Sequence, residues 1–588
     1  MTIGRQPNSP AGDAQALEQS TGRRSSSKPE VRGRIPQAAR ELLHRSGVRW
    51  LVLAMSGLLV VVVFTRFVPY CMDEFLQYNE IIYGHYPNNN LNVFNEAPGL
   101  YDLNVYNTGV VLPLRCYYYM GVVPAIVYYP LFLVWQHPMS ARFSGILLLI
   151  VQAALLARIV RFRVEYLFLG LLIFFPYLFQ HLVETGLVGL QIACLLGTYL
   201  LLRRWFDEPT WRRALGMAVL VFLGIWTKLS FLWYAPALTV IAAGFAWDNR
   251  RRPFDRRRLV SYLRQGAAAV AVLLILLSVL FLATDPGNPE RYPYWEQLFG
   301  SDHGPSHSVA AFLDLEGLRS LPVFDTLWNP WRAAERVFDP PSEKPRALVY
   351  SFVLYAAAPL LWIILIVQGW PESRSVVRRS ALTYAGFWLT VLMIFLSKEA
   401  WAMHHTVLAY PFLILGFLIS LEGIRDGAMA DGRPRNYRRT MVIVMSVLLV
   451  TNGYYFVSLP SLRIDPENHP SRIALNARLA DGRLAGKYIY VVLDWGMYFY
   501  QALYGHRDQS VLYVAPLTPP RARALAELKT RTGRKLLFLY HPRLPGHDLQ
   551  ALRRQFRVVP CDLTGKKGAD GDDWLVLIEE EGADDVCL

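Results

Sequence analysis

Charge is what this chain has least of. Of its 588 residues only 18% are Asp, Glu, Lys or Arg, against 53% hydrophobic and 13% aromatic; a soluble chain of this size would carry roughly a quarter charged residues. That shortage excludes an ordinary multidomain soluble protein. Cysteine is equally thin, with 5 in all and no Cys-x-x-Cys pair, which removes zinc ribbons. No collagen period or long internal repeat is visible, so solenoids fall away as well. What the chain does have is long apolar runs, and about 18–25 uncharged residues are enough to cross the hydrocarbon core of a bilayer. The formal net charge of +14 would suggest nucleic acid, but in a membrane protein it must first be weighed against topology.

Residues 1–48 are rich in Arg, Ser, Pro and Gln and lack apolar periodicity, the composition of a disordered basic arm. Apolar runs follow near 50–68, 143–157, 165–180, 186–202, 214–228, 231–247, 266–283, 348–369, 382–397, 406–421 and 440–458. A further run at 118–136 is broken by Pro124 and Pro130 and crowded with Tyr. Counting it as a full span puts Arg158, Arg161 and Arg163 outside and scrambles every later loop. Counting it as an interfacial or half-inserted segment restores a positive-inside pattern throughout. Cytoplasmic loops then hold Arg203, Arg204, Arg212 and Arg213; Arg250 to Arg252 with Arg256 to Arg258; Arg374, Arg378 and Arg379; and Arg433, Arg435, Arg438 and Arg439. The expectation is about eleven spans in a cell (inner) membrane, with the N-terminus cytoplasmic and the C-terminus external or periplasmic. Arginines that orient helices and meet anionic lipid account for the basic balance without nucleic acid.

The same assignment sorts the chemistry. Every histidine except His44 falls outside or at an external helix end, and so do Lys228 and Lys398. The working face is therefore external. The first outer loop, about 69–142, opens with Asp73-Glu74 directly after the first span. Adjacent carboxylates there suit proton abstraction from an acceptor, or a divalent cation such as Mg or Mn; capping a following helix is the plain alternative. Lys228 interrupts the apolar stretch GIWTKLSFLWYAP. It is either a snorkelling lysine or a point charge for a lipid-linked phosphate. Glu184 sits near the outer end of an apolar hairpin, where a near-membrane carboxylate is a functional candidate and a helix-end glutamate is also cheap. Lys398 and His404-His405 share one outer stretch, and neighbouring histidines on a helix point in different directions, so they make only a weak metal signal.

A first span followed at once by Asp-Glu and a long outer loop resembles the GT-C glycosyltransferase superfamily, in particular the protein O-mannosyltransferases and the bacterial lipid A aminoarabinose transferases. GIWTKLSFLWYAP is similar to that group's Thr-Lys-Gly-Pro stretch, although Leu and Ser stand here after Lys228. MHHTVLAYPFLIL resembles its Arg-Tyr-leucine-Pro helix, and the segment leading to Arg142 resembles its juxtamembrane piece. The likeness covers roughly 50–460. It implies a polyprenyl-phosphate or polyprenyl-diphosphate sugar as donor, used at the external face and passed to a glycan, lipid or protein acceptor. It further implies Asp73 as general base, Glu74 assisting or binding metal, and Lys228 with Arg115 or Arg291 neutralising the departing phosphate. The fold class expected is mostly α: a polytopic membrane helix bundle, GT-C-like, over 49–458, with an external loop at 284–346.

The remaining region, 459–588, reads as an external α/β domain. YIYVVLDWG, SVLYVAPL, KLLFLYHP and DWLVLIEE look like buried strands, with PPRARALAELKTRTG and PGHDLQALRRQF at helical spacing between them. The βαβ order suggests a parallel sheet. No Gly-rich phosphate fingerprint follows the first strand, so nucleotide binding is not expected there. Cys71 with Cys116, and Cys561 with Cys587, are external pairs that either bridge or stay as thiols; Cys194 lies within a span. The competing functions are a transporter or lipid flippase, disfavoured by the absence of related halves and midplane charges, and an inactive scaffold.

Reporter fusions test the topology directly. Fusions after residues 163, 213, 258, 379 and 435 are expected to report cytoplasm, and those at 110, 300 and 500 the outside. A cytoplasmic signal at 500 would overturn the scheme.

Overall fold

The computed structural model describes residues 101–104, 111–115, 123–135, 139–160, 187–249, 256–283, 374–396, 408–430, 482–493, 510–514, 517–540, 549–561 and 575–579, with a few single positions between them. The basic arm 1–48, the loop 284–346, the runs near 50–68, 165–180 and 348–369, and almost all of 440–458 lie outside those residues. The other expected runs fall on helices.

A short antiparallel hairpin comes first, β1 (Tyr101–Asn104) against β2 (Val111–Arg115), with Tyr101 opposite Arg115. The hairpin lies within the stretch that the sequence pattern assigns to the first outer loop. Helix α1 (Val123–Val134) carries Pro130 inside it. Its 12 residues reach about 18 Å, against a hydrocarbon core of about 30 Å. Trp135 then packs edge-on against Phe143 at 5.6 Å, tying α1 to the next helix.

The bundle proper consists of α2 (Met139–Ile159), α3 (Leu187–Asp207), α4 (Trp211–Thr227), α5 (Ala235–Asn249), α6 (Arg256–Ala283), α7 (Arg374–Leu396) and α8 (Tyr410–Ala430). Their limits follow from local chemistry. Pro209 stops the chain leaving α3, and Pro236 and Pro411 stand in the first turns of α5 and α8, where a missing N–H costs nothing. Within the bundle, the chain is buried without a break from Leu408 through Leu421, the first three turns of α8 included. Where α7 crosses it, Ser380 donates to the Gly416 carbonyl at 3.0 Å and lies 2.6 Å from the Ser420 hydroxyl, which itself donates to Gly416. Small residues let the two backbones approach, and the hydroxyls bond across the gap, the usual means of joining helices where apolar surroundings give no hydrophobic drive.

The ends of these helices are sorted by charge. Arg203 donates to the Ile159 carbonyl at the end of α2 (2.8 Å), and Arg213 to Arg204 at the end of α3 (2.9 Å). Arg258, opening α6, donates to the Asp207 carbonyl, and Arg378, near the start of α7, pairs with Asp248 near the end of α5. The arginine-bearing ends of α2 to α7 thus meet at one end of the bundle, each guanidinium satisfying carbonyls or a carboxylate that a helix terminus leaves over. Leu229–Asn249 and Arg256–Leu280 are long and apolar enough to cross a membrane. Only 11% of the α6 stretch is buried, and Leu263, Val270, Leu274, Ile275 and Val279 face outward.

The C-terminal region forms a five-stranded sheet of β3 (Tyr488–Val492), β4 (Ser510–Tyr513), β5 (Lys535–Tyr540), β6 (Val558–Cys561) and β7 (Leu575–Glu579), in the order β4-β3-β5-β7-β6. Strands β4, β3 and β5 are parallel as expected; β7 is antiparallel to both its neighbours, so the sheet is mixed. Strand β6 went unread because Pro560 breaks a four-residue run, and proline is tolerated there since β6 pairs on one side only. Helices α9 (Pro519–Thr532) and α10 (Leu549–Phe556) supply Leu525, Leu528 and Leu552 to a core with Ile489, Val491, Leu536 and Phe538. Gly533, at φ 65°, closes α9 by donating to Lys529. Cys561 is disulfide-bonded, while Cys194 is buried and free; Cys71, Cys116 and Cys587 lie outside the described residues.

The α7–α8 crossing is open to test. A Cβ added at Gly416 would come within 2.7 Å of Tyr384 Cε1 and 2.9 Å of Thr383 Oγ1. Gly416→Val should therefore destabilise the bundle by about 1–3 kcal/mol, as overpacking does, seen as a lower thermal unfolding midpoint in detergent. An unchanged midpoint would mean the helices do not meet there.

Candidate functional site

Away from the arginine end, the chain does something unusual between α4 and α5. Helix α4 stops at Thr227, Lys228 is fully extended (φ −162°, ψ 136°), and a 3-10 segment, Leu229–Tyr234, follows before α5 begins. With 17 residues, α4 places this interruption about 26 Å from its arginine-bearing start.

An interruption in apolar surroundings exposes backbone groups that must find partners. Here they do. Lys228 N–H donates back to Gly224 at 3.2 Å, and the Lys228 carbonyl accepts from Phe231 N–H at 3.0 Å. From α3, the fully buried Gln191 donates through Nε2 to the same carbonyl at 2.9 Å and to Ser230 Oγ at 3.1 Å; Ser230 Oγ lies 3.4 Å from Gln191 Oε1. Thr227 Oγ1 donates to Leu223 at 2.7 Å. On another side Gly121 N–H donates to the Thr227 carbonyl at 3.1 Å, and a Cβ on Gly121 would land on the Trp226 carbonyl. Phe231, Trp233 and Tyr234 fill the space beneath, with Tyr234 edge-on to Phe412 at 5.8 Å. The Lys228 side chain remains half-buried at the rim.

Of the residues singled out from sequence, Lys228 is the one whose side chain is described. Arg115 ends β2, with only its backbone described. Asp73, Glu74, Glu184, Arg291, Lys398 and His404 lie outside the described residues. Among the described residues no group of three or more His, Cys, Asp or Glu could hold a metal ion. Sequence reasoning missed Gln191, Ser230 and Gly121. A signal for the first was available: a lone amide inside LVGLQIACLLG has to find a polar partner or bear a cost of a few kcal/mol. Nothing in the sequence named the partner.

No family model matches the chain, and no curated protein matches it. Thirteen solved chains do. One is the archaeal oligosaccharyltransferase AglB from Archaeoglobus fulgidus, determined in complex with an inhibitory peptide and a dolichol-phosphate. It is similar over 83% of this chain and 69% of that one, at a TM-score of 0.42 and 9% identity. A likeness of that degree assigns no function, and the chemistry has to be argued from the residues.

The tight approach at Gly121 gives one check. Gly121→Val cannot be accommodated without moving the α4 terminus, so it should lower the thermal midpoint by an amount matching about 1–3 kcal/mol. Protease cleavage near residues 227–234 should rise with it. A variant as stable and as resistant as the parent would show that Gly121 does not cross the break.

Proposed function

We propose that this protein is an integral membrane glycosyltransferase. It takes a sugar from a polyprenyl-phosphate or polyprenyl-diphosphate donor and transfers it to a glycan, lipid or protein acceptor at the external face. The observation that carries the reading is the polarity of the bundle: arginines gather at one end, and a lysine stands at a polar, hydrogen-bonded helix interruption about 26 Å along α4 from it. Positive-inside orientation makes the arginine end cytoplasmic and the Lys228 end external. The outward apolar face of α6 supports a lipid setting, and the disulfide at Cys561 suits an oxidising external compartment. Gly121, just ahead of the short helix α1, lies beside the interruption, which suits a donor whose tail stays in lipid while its phosphate reaches the rim.

In this reading the acceptor hydroxyl gives its proton to the Asp73 carboxylate as its oxygen bonds to the anomeric carbon. The bond from that carbon to the phosphate oxygen breaks, and the oxygen leaves with the electron pair. Fixed cations lower the barrier by meeting the charge that develops on the phosphate; Lys228 is the first of these, with Arg115, Arg291 and Lys398 as further candidates. Glu74 supports the base, while Glu184 and His404 contact donor or acceptor. A transporter would also use an interrupted helix, but would place it half-way through the membrane rather than near one end.

The test is transfer from a labelled polyprenyl-phosphate sugar by purified variants. Asp73→Asn keeps shape but loses basicity, so turnover should fall about 100-fold or more with donor binding little changed. Lys228→Ala should both raise the donor KM and lower kcat. Near-normal transfer by a well-folded Asp73→Asn protein would remove Asp73 from the mechanism.

A further inference from the structure

We infer that Gln191 is a positioning residue for Lys228, locking the break in α4 so that the lysine is presented at the bundle rim. The inference rests on the reading that Lys228 holds the donor phosphate, but its geometry does not depend on it. Gln191 is on a different helix, α3, and is completely buried. Its two amide protons are both spent on the interruption, one on the Lys228 carbonyl and one on Ser230 Oγ. Around these bonds Phe231, Trp233 and Ile192 pack in the same buried core.

The carbonyl of Lys228 is the point at which the chain changes from α-helix to extended to 3-10. An extended residue turns its carbonyl away from the helix axis, where an in-line i+4 N–H cannot reach it. One bond comes from Phe231 within the turn; the second lone pair is met by Gln191 from outside. Without the amide, the carbonyl and the Ser230 hydroxyl lose buried partners, and a group so stranded is costly. The cheapest repair is local: residues 227–231 rewind toward continuous helix, whose own i+4 bonds satisfy the backbone. Rewinding shifts residue 228 by about 2 Å along the axis and turns its side chain by roughly a quarter of a turn, because an extended residue advances about 3.3 Å with alternating side chains and a helical one about 1.5 Å at 3.6 residues per turn. The lysine would keep its charge and lose its place. Gly121 is bonded one residue earlier, at Thr227, and so holds the helix end from another side.

The experiment reads position separately from turnover. Lys228→Cys is introduced alone and with Gln191→Leu, an apolar change of similar volume. The introduced thiol is labelled in intact membranes with a charged, membrane-impermeant maleimide and quantified by peptide mass spectrometry, so the native cysteines stay in place. The labelling rate should change about tenfold between the two backgrounds, the scale set by losing one buried hydrogen-bond partner. Thermal unfolding checks that both variants are folded; if Gln191→Leu does not fold, Gln191→Met carries the same expectation. In proteins retaining Lys228, Gln191→Leu should raise the donor KM as Lys228→Ala does, while Ser230→Ala, which leaves the Gln191–Lys228 bond intact, should change it less. An unchanged labelling rate in a folded Gln191→Leu protein overturns the inference, whatever the transfer activity. Changed labelling in a protein whose parent transfers no sugar upholds the positioning role and removes the glycosyltransferase reading.

Discussion

A backbone carbonyl that faces an apolar interior must be given a hydrogen bond, and much of this bundle is arranged around that demand. It is met in two different ways at the two ends. At the arginine end the carbonyls are the unavoidable leftovers of helix termini, and guanidinium groups reach across from neighbouring helices to take them. At the other end the carbonyl of Lys228 is exposed by choice of conformation, and a neutral amide takes it. The difference in donor fits the surroundings. A charged donor is affordable where its remaining protons meet water and lipid head groups, whereas a fully buried site favours a donor that brings no net charge.

The middle of the bundle follows from the same rule with smaller means. Ser380, Thr383, Ser420 and Thr390 all return their hydroxyls to carbonyls of their own or the adjacent helix. None of them leaves a charge in the interior. Because these four hydroxyls are tied to carbonyls, the α7–α8 pair has one register in which the groups match, and glycine at 416 and 386 is what lets the backbones come near enough to use it. The contrast with the rim is informative: Lys228 is where the apolar run tolerates a full charge, and it is also where the helix is broken.

How much of this could be read beforehand divides along physical lines. The helices over 143–157, 186–202, 214–228, 231–247, 266–283, 382–397 and 406–421 announce themselves because a long apolar run has few other ways to exist. The end-to-end sorting of arginines was visible for the same reason, since each cluster sits at a run boundary. In the C-terminal domain, continuous apolar runs gave β3, β4, β5 and β7, while β6 escaped notice because a proline at an edge looks like a loop. The antiparallel setting of β7 could not be told from pattern, since direction depends on the connection rather than on the strand. At the candidate site, Lys228 stood out by its charge. Gln191 did not, because its significance lies in what it touches 37 residues away, and no spacing in the sequence encodes that.

Helix α6 is fastened asymmetrically, and this has a mechanical meaning. The polar and ring contacts that hold it inward fall within its first turns: Arg258 to Asp207, Tyr262 to the Phe206 carbonyl and the Trp205 ring, Gln265 to Trp205, and Arg264 over Trp211. Beyond them Leu277 and Leu280 turn toward the bundle, while Leu274, Ile275 and Val279 face outward. A rod whose ring and polar contacts gather near one end can act as a lever about them. From Gln265 to Ala283 it extends about 27 Å, so a tilt of about 10° about its first turns carries Ala283 through about 5 Å, at the level of the bundle where Lys228 sits.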